Sequence, residues 1–221
     1  TYNNHVICDD QIIDAIKVSG LQLKGKMLRT KTSILPENWL PHAKTPSDRE
    51  NAALALQTAR IFKVPDETAE AVLSEWKPLK GHLELVKKLK NVEFVNDSAS
   101  ESPISTVANM AALAGQKNLV LIFGGADQGS DYREFYVAAK EYTHTLIAIP
   151  GSGTLKERSA LQRIENINVL SAPSLEEAVR QALDHARKGD KVLFSPAFEA
   201  CGIDCSRKER GERFVRAVRA L

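Results

Sequence analysis

The sequence predicts an α/β protein built on a largely parallel sheet, and three observations lead there. Beyond Gly81, short apolar strands alternate with helix-length segments, the order that βαβ crossovers require. The polar and glycine-bearing residues gather where those strands would end, the edge at which open α/β sheets bind ligands. A Pro/Gly-bearing connection, Lys77 to Gly81, separates this regular part from a less regular first one. Two domains are therefore expected, residues 1–79 and 80–221.

The first part opens with a short apolar strand, His5 to Cys8, ending at Asp9 and Asp10. An amphipathic stretch from Gln11 to Ile16 and extended pieces between Leu21 and Thr32 follow. Pro36, Pro41 and Pro46 then punctuate a long loop, since proline removes a donor and clashes inside a helix. Ser47 or Asp48 is the expected cap of a helix from Arg49 to Phe62, in which Ala52, Leu56, Ala59 and Phe62 share one face. Pro65 and Asp66 start another helix, ending near Trp76.

Leu83–Leu89 and Val92–Val95 read as two strands joined by a tight turn at Lys90 and Asn91. In Val92–Ser98 the apolar residues alternate with polar ones, the pattern of a half-buried strand, until it stops at Asn96, Asp97 and Ser98. Helices are expected at Ile104–Ala114, Tyr132–Tyr142, Leu155–Ile164, Ser174–Arg187 and Glu209–Leu221. Strands are expected at Leu119–Phe123, Leu146–Ile149, Asn168–Leu170 and Lys191–Phe194. No internal repeat or low-complexity segment is present.

Composition narrows the function classes. The 30 basic and 28 acidic residues leave a net charge of +2, too little for a global field that recruits nucleic acid or an acidic membrane. Basic residues crowd the last helix (Arg207, Lys208, Arg210, Arg213, Arg216, Arg219), but Glu209 and Glu212 interleave them, so a solvated face is expected. Cys8, Cys201 and Cys205 form no disulfide framework, which points to a reducing cytosol. The C-x3-C spacing of the last two lacks a second Cys/His pair, so no metal site is expected. No apolar run reaches transmembrane length. The chain begins at Thr1 in what reads as the middle of a fold, and a fragment is expected.

Four loops would meet at the carboxyl edge of the sheet, beginning at Asn96, Gly124, Pro150 and Ser195. Asp97 could accept from a ribose or hold a cation, or it and Ser98 could merely turn and cap the chain. The loop GGADQGSD has glycines that let backbone approach a ligand, and equally suits a strand-to-helix turn capped by Ser130 or Asp131. The loop PGSGT supplies only G-x-G, short of the dinucleotide fingerprint. In Ser195-Pro196-Ala197 a strand stops, leaving the Ser195 hydroxyl available to a carboxylate or to the local turn. The histidines are scattered without an HExxH pattern; His82 alone adjoins a site element, at the domain junction, whereas His5, His42, His144 and His185 read as surface or packing residues.

Together and in this order, the segments resemble the Mur ligase family, most closely the members that add glutamate to UDP-N-acetylmuramoyl-L-alanine. Arg49-Glu50-Asn51-Ala52-Ala53 resembles the family's H-N-x-x-N-A-x-A helix. Gly81-His82-Leu83-Glu84 is similar to its P-H-R-x-E junction, and Val95-Asn96-Asp97-Ser98 to its I-N-D-S-K-A-T turn. The loop at Gly124-Gly125 is similar to G-G-x-D-K-G-x-D-F. Phe194-Ser195-Pro196-Ala197, followed by Glu209-Arg210-Gly211 and Phe214, resembles L-S-P-A with F-E-x-R-G-x-x-F, and Val6–Asp10 the N-A-D-D strand.

The resemblance implies the end of a central ATPase domain over residues 1–79 and a Rossmann-like carboxy-terminal domain over 80–221. It implies ATP and Mg2+, both held largely by an amino-terminal half that this sequence lacks, and a cytoplasmic, monomeric enzyme of peptidoglycan precursor synthesis. The implied partners are a UDP-muramoyl-peptide precursor and an amino acid, with glutamate foremost; nucleic acid and membrane are not implied. By likeness Asn51, His82 and Asp97 would lie near ATP. Ser98, Ala99, Glu101, Gln128, Ser195, Ala200 and Arg207 would face the amino acid.

The departures fall on the same positions. Leu83 stands for the junction arginine, Ala99 and Gln128 for lysines, Glu101 for a threonine and Ala200 for a serine, while Arg207 or Lys208 replaces an aromatic residue. They imply an altered amino-acid pocket, another Mur-type ligase using L-glutamate or a different amino acid, or a silent binding module on the same scaffold. The 221 residues contain no G-x-x-x-x-G-K-[ST] loop to cradle the β- and γ-phosphates. The purified chain is therefore expected to release no phosphate from ATP above a buffer blank, and measurable release would overturn this.

Overall fold

The computed structural model describes residues 4–22, 25–200 and 206–221, so Cys201 and Cys205 lie outside the described residues. The chain divides into two units, Thr1–Pro78 and Leu79–Leu221.

In the first unit, β1 (His5–Cys8) pairs in parallel with β2 (Lys26–Arg29). Between them runs α1 (Asp10–Ser19), whose first turn is capped by the Asp9 carboxylate accepting from the Ile12 N–H at 2.8 Å. The proline-punctuated stretch is not uniformly irregular: it holds two single 3-10 turns, Thr32–Ile34 and Glu37–Trp39. Then come α2 (Pro46–Ile61) and α3 (Asp66–Glu75). The start of α2 corrects the expected cap. Thr45, rather than Ser47 or Asp48, is the N-cap: its hydroxyl accepts the Asp48 N–H at 3.1 Å while the Asp48 carboxylate accepts the Thr45 N–H at 2.9 Å. Pro46 fits at the first helical position, where an N–H has no partner to lose. Ala52 and Leu56 pack with Leu35, Leu40 and Ala69, but Phe62 ends outside this core, 77% exposed.

The second unit is a six-stranded sheet. In chain order it runs β3 (Glu84–Leu89), β4 (Val92–Asn96), α4 (Pro103–Leu113), β5 (Leu119–Phe123), α5 (Arg133–Tyr142) and β6 (Thr143–Ala148). It continues with α6 (Ser152–Lys156), α7 (Arg158–Leu161), β7 (Asn168–Ser171), α8 (Leu175–His185), β8 (Lys191–Phe194) and α9 (Arg207–Arg219). The strand order is β3-β4-β8-β5-β6-β7. Every neighbouring pair is parallel except the β3–β4 hairpin, whose turn residues Lys90 and Asn91 have φ of 50° and 63°, the left-handed conformation that two-residue hairpins favour. The expected helix at Leu155–Ile164 is instead the short pair α6 and α7.

Burial follows from this order. β4 was expected to be half-buried, yet Val92, Phe94, Val95 and Asn96 are all buried. It is an interior strand, flanked by β3 and β8 and covered on both faces. Alternate side chains feed two cores. Val95, Leu121, Phe123 and Leu193 pack with Met110 of α4 and Phe135 of α5. Phe94, Val120, Ile122 and Phe194 pack with Val179 of α8 and Phe214 of α9. The last strand, β8, enters the middle of the sheet, so its carboxyl end lies between those of β4 and β5.

The rings of Phe194 and Phe214 stack with centroids 5.0 Å apart, and Phe214 fastens α9 to the sheet. Phe214→Ala is expected to destabilise the protein by about 3–5 kcal/mol, the cost of an unfilled aromatic cavity, measured by urea unfolding. A loss below about 1 kcal/mol, within the range of surface substitutions, would contradict this packing.

Candidate functional site

The β4–β8 ladder sets the chemistry at the carboxyl edge. Asn96 pairs with Phe194 in register, and the Asp97 N–H still donates to the Phe194 carbonyl at 2.8 Å. The residue that follows β8, Ser195, therefore stands beside Asp97, and its hydroxyl donates to Asp97 Oδ2 at 2.7 Å. Asn109 of α4 donates through Nδ2, 3.0 Å from each Asp97 oxygen, and the Leu83 N–H reaches Oδ1 at 3.4 Å. Thr106 Oγ1 lies 2.9 Å from Ser195 Oγ, and Asn109 Nδ2 lies 3.0 Å from Ser100 Oγ.

Asp97, Thr106 and Ser195 are each 0% exposed. By likeness Asp97 would lie near ATP and Ser195 would face the amino acid; in the structure both side chains are buried, and the Ser195 hydroxyl is bonded to the Asp97 carboxylate. Burial pushes the Asp97 carboxyl above its ordinary value, while the bonds from Asn109, Ser195, Ser100 and Leu83 hold it partly back.

Above this hub lies a cleft of about 640 Å3. Four of the sequence-derived residues, His82, Ser98, Ala99 and Arg207, line it together with Lys80 and Lys208. Its floor is built by hydrogen bonds. Glu84 Oε2 accepts from the Gly81 N–H at 3.0 Å and from Asn96 Nδ2 at 3.1 Å, and the Ser98 N–H donates to Asn96 Oδ1 at 3.2 Å. Helix α9 forms one wall because Gly211 has no side chain: a Cβ there would come 2.3 Å from Ser98 Oγ. Arg207, Lys208, Arg216 and Arg219 of α9 all face the cleft. The lining cations outnumber Glu84 and Glu212, so the cleft suits an anionic ligand.

Glu101, Gln128 and Ala200 meet elsewhere on the same edge, around Arg210. The solvated-face expectation fails for this arginine, which is only 4% exposed. Its Nη2 lies 3.1 Å from Glu101 Oε1 and its Nη1 donates to the Phe198 carbonyl at 3.3 Å. The Ala200 N–H donates to the same Glu101 oxygen at 3.1 Å, and Gln128 Nε2 donates to the Glu101 backbone carbonyl.

The glycine loops serve this packing. Gly125 has φ of 152°, and a Cβ there would stand 2.3 Å from the Glu199 carbonyl. Gly153 of the PGSGT loop lies against the Phe198 ring, where a dinucleotide would need open backbone. Lys156 lowers the Asp127 carboxyl by a hydrogen bond, and Arg133 lowers Asp131 to about 2. Asp131 accepts the Arg133 N–H at 3.0 Å, but the helix cap itself is Tyr132.

Asn51 lies exposed on α2 of the first unit. Among the described residues no group of three His, Cys, Asp or Glu side chains could hold a metal ion. No described helix is long and apolar enough to cross a membrane. Of the two readings for His144, surface or packing, the structure shows packing: its Nε2 lies 2.9 Å from Asp190 Oδ2 and its Nδ1 2.9 Å from Thr145 Oγ1, at the amino ends of the strands. Sequence reasoning missed a hollow of about 700 Å3 lined by Pro150, Thr154, Arg158, Gln162, Ile167 and Val169. Only its PGSGT side was marked in the sequence; the rest of its lining comes from α7, β7 and the segment between them, which no local motif joins.

The family profile described as "Mur ligase, glutamate ligase domain" matches residues 81–198. A UDP-N-acetylmuramoylalanine–D-glutamate ligase from Caldanaerobacter subterraneus is 32% identical over 173 residues, 78% of this chain and 38% of that protein. A ligase of the same name from Natranaerobius thermophilus is 32% identical over 196 residues, 88% of this chain and 41% of that one. The chain thus spans about two-fifths of the length of these curated relatives. Among solved structures, a murein peptide ligase from Psychrobacter arcticus superposes with a TM-score of 0.67 at 14% identity, covering 99% of this chain and 52% of that one. A folylpolyglutamate synthase from Mycobacterium tuberculosis complexed with ADP gives 0.68 at 12%, covering 96% and 55%. These two show a shared fold.

The Asp97 hub carries a pH signature. Because the folded-state value is raised above the ordinary 3.8, the folded form binds its proton more tightly than the unfolded form. Its contribution to stability is fully present below 3.8 and is lost as pH rises through the elevated value. Urea midpoints of the protein and of Asp97→Asn, compared across that range, are expected to show the advantage of the aspartate shrinking as pH rises. An advantage that grows with pH would contradict the raised value.

Proposed function

Because the chain belongs to the Mur ligase family through its glutamate ligase domain, we propose that it is the carboxy-terminal part of an ATP-dependent ligase. The full protein joins glutamate to UDP-N-acetylmuramoyl-L-alanine in the cytoplasm, as a monomer serving peptidoglycan synthesis. The observation that carries this reading is the relatives of that name, 32% identical over 78% to 88% of the chain.

The donor set of the cleft fits ATP. Lys80, His82, Arg207 and Lys208 offer cations and donors, and Glu84 is already committed to Gly81 and Asn96. ATP, with Mg2+, supplies the phosphoryl group that activates the acid for amide formation. In this reading His82 and Lys80 hold the nucleotide. Asp97 acts through others, fixing the Leu83 N–H, Asn109 and Ser195 so that the loops keep their places. Leu83, at the position of the family's arginine, takes no part: it is 5% exposed and packs with Val95 and Met110.

A second reading, a Mur-type ligase for a different amino acid, is favoured by Ala99, Gln128 and Ala200, which remove the charge and the hydroxyl the family offers there. Turnover of the full-length protein with ATP, UDP-N-acetylmuramoyl-L-alanine and a panel of amino acids separates the two. D-glutamate is expected to support product formation. His82→Ala is expected to raise the KM for ATP on the order of tenfold with a smaller change in kcat, the signature of lost ground-state binding. Failure to form product with any amino acid would refute the ligase reading.

A further inference from the structure

The hollow of about 700 Å3 beside the edge strand β7 shares no lining residue with the cleft around His82. Its walls belong to the crossover from β6 to β7, which is built from two short helices, α6 of five residues and α7 of four. So little helix leaves apolar side chains uncovered. Ile164, Ile167 and Val169 are only partly buried against the first core, and Leu155 is 69% exposed. A concave site of this volume, mostly apolar with a few placed polar groups, is the usual form of a small-molecule site.

The polar groups in the wall narrow the class of ligand. They are Thr154, Arg158, Gln162 and Ser171. Arg158 is the only charged residue of the lining, and it forms no ion pair among the described residues. One guanidinium with no acidic neighbour in the wall suits one anionic group, and its planar fork matches a carboxylate through two parallel bonds. A phosphate would bring a second charge that the wall does not meet. Nor is the PGSGT backbone open to it, because the Gly153 N–H already donates to the Gly125 carbonyl at 3.0 Å.

We propose that this hollow binds a small amphipathic monocarboxylate. Its ring or branched hydrocarbon body packs against Ile164, Ile167 and Val169, and its carboxylate pairs with Arg158. The site goes beyond the ligase reading, whose ATP belongs to the other cleft.

The probe is 4-phenylbutyrate, titrated into the isotope-labelled 221-residue chain and followed by backbone amide NMR shifts. The controls are 4-phenylbutanamide, with the same body and no charge, and acetate, with the charge and no body. Phenylbutyrate is expected to give saturable shifts confined to residues 148–172. The neutral amide is expected to bind on the order of tenfold more weakly, the loss of one charge-assisted bond, and acetate not to saturate. Arg158→Gln, at an exposed position, is expected to keep its melting temperature and to bind acid and amide equally weakly. Absence of saturable binding would overturn the proposal, as would shifts centred on the His82 cleft. Equal affinity of the unmodified chain for acid and amide, or an acid affinity untouched by Arg158→Gln, would overturn it too. Each of these results leaves turnover by the full-length ligase standing.

Discussion

A buried carboxylate with no paired cation among the described residues sets the geometry of this carboxyl edge. Asp97 is 0% exposed, and its charge is met by neutral donors from Leu83, Asn109 and Ser195. A buried ionised group without compensating bonds is strongly unfavourable, so each of those donors is confined to one position. They belong to the junction before β3, to α4 and to the end of β8. The same residues extend the constraint through the backbone: the Ser100 N–H donates to the Asp97 carbonyl and the Ala197 N–H to the Ser100 carbonyl. One side chain thus fixes the separation of the loops from which the cleft rises.

The strand order makes this possible. Because β8 lies between β4 and β5, the turn after the first parallel strand and the turn after the last are neighbours. Helix α9 then leaves β8 and returns across the turn at Ser98, which it can approach because residue 211 is glycine. That approach brings the cations of α9 to the same cleft as His82. On the other side of the turn it carries Arg210 inward to Glu101. The basic helix therefore has two roles set by its periodicity: an exposed row facing the cleft and one buried arginine facing the sheet.

Much of the architecture was legible in the sequence. The strands Leu119–Phe123 and Lys191–Phe194 fall where their apolar runs place them, because a strand buried on both faces has no polar alternation to confuse the reading. The hairpin turn at Lys90 and Asn91 was legible from spacing alone. What escaped was whatever depends on partners distant in sequence. Nothing near Asp97 shows that Ser195, 98 positions away, will stand beside it, so an inward carboxylate reads as an outward one. Arg210 looks like one more basic residue of a solvated face until Glu101, 109 positions away, is placed against it. The cap of α2 was misplaced for a local reason: Asp48 is as good a cap as Thr45 by residue type, and only their reciprocal bonds decide.

The claim that Asp97 organises the edge is tested most directly by a double-mutant cycle between Asp97→Ala and Asn109→Ala, read as unfolding free energies at neutral pH. The two residues share a direct bond in the interior, so the account predicts a coupling on the order of 1–3 kcal/mol, each single change removing most of what the pair contributes. Additivity within about 0.5 kcal/mol, the behaviour of independent sites, would contradict it.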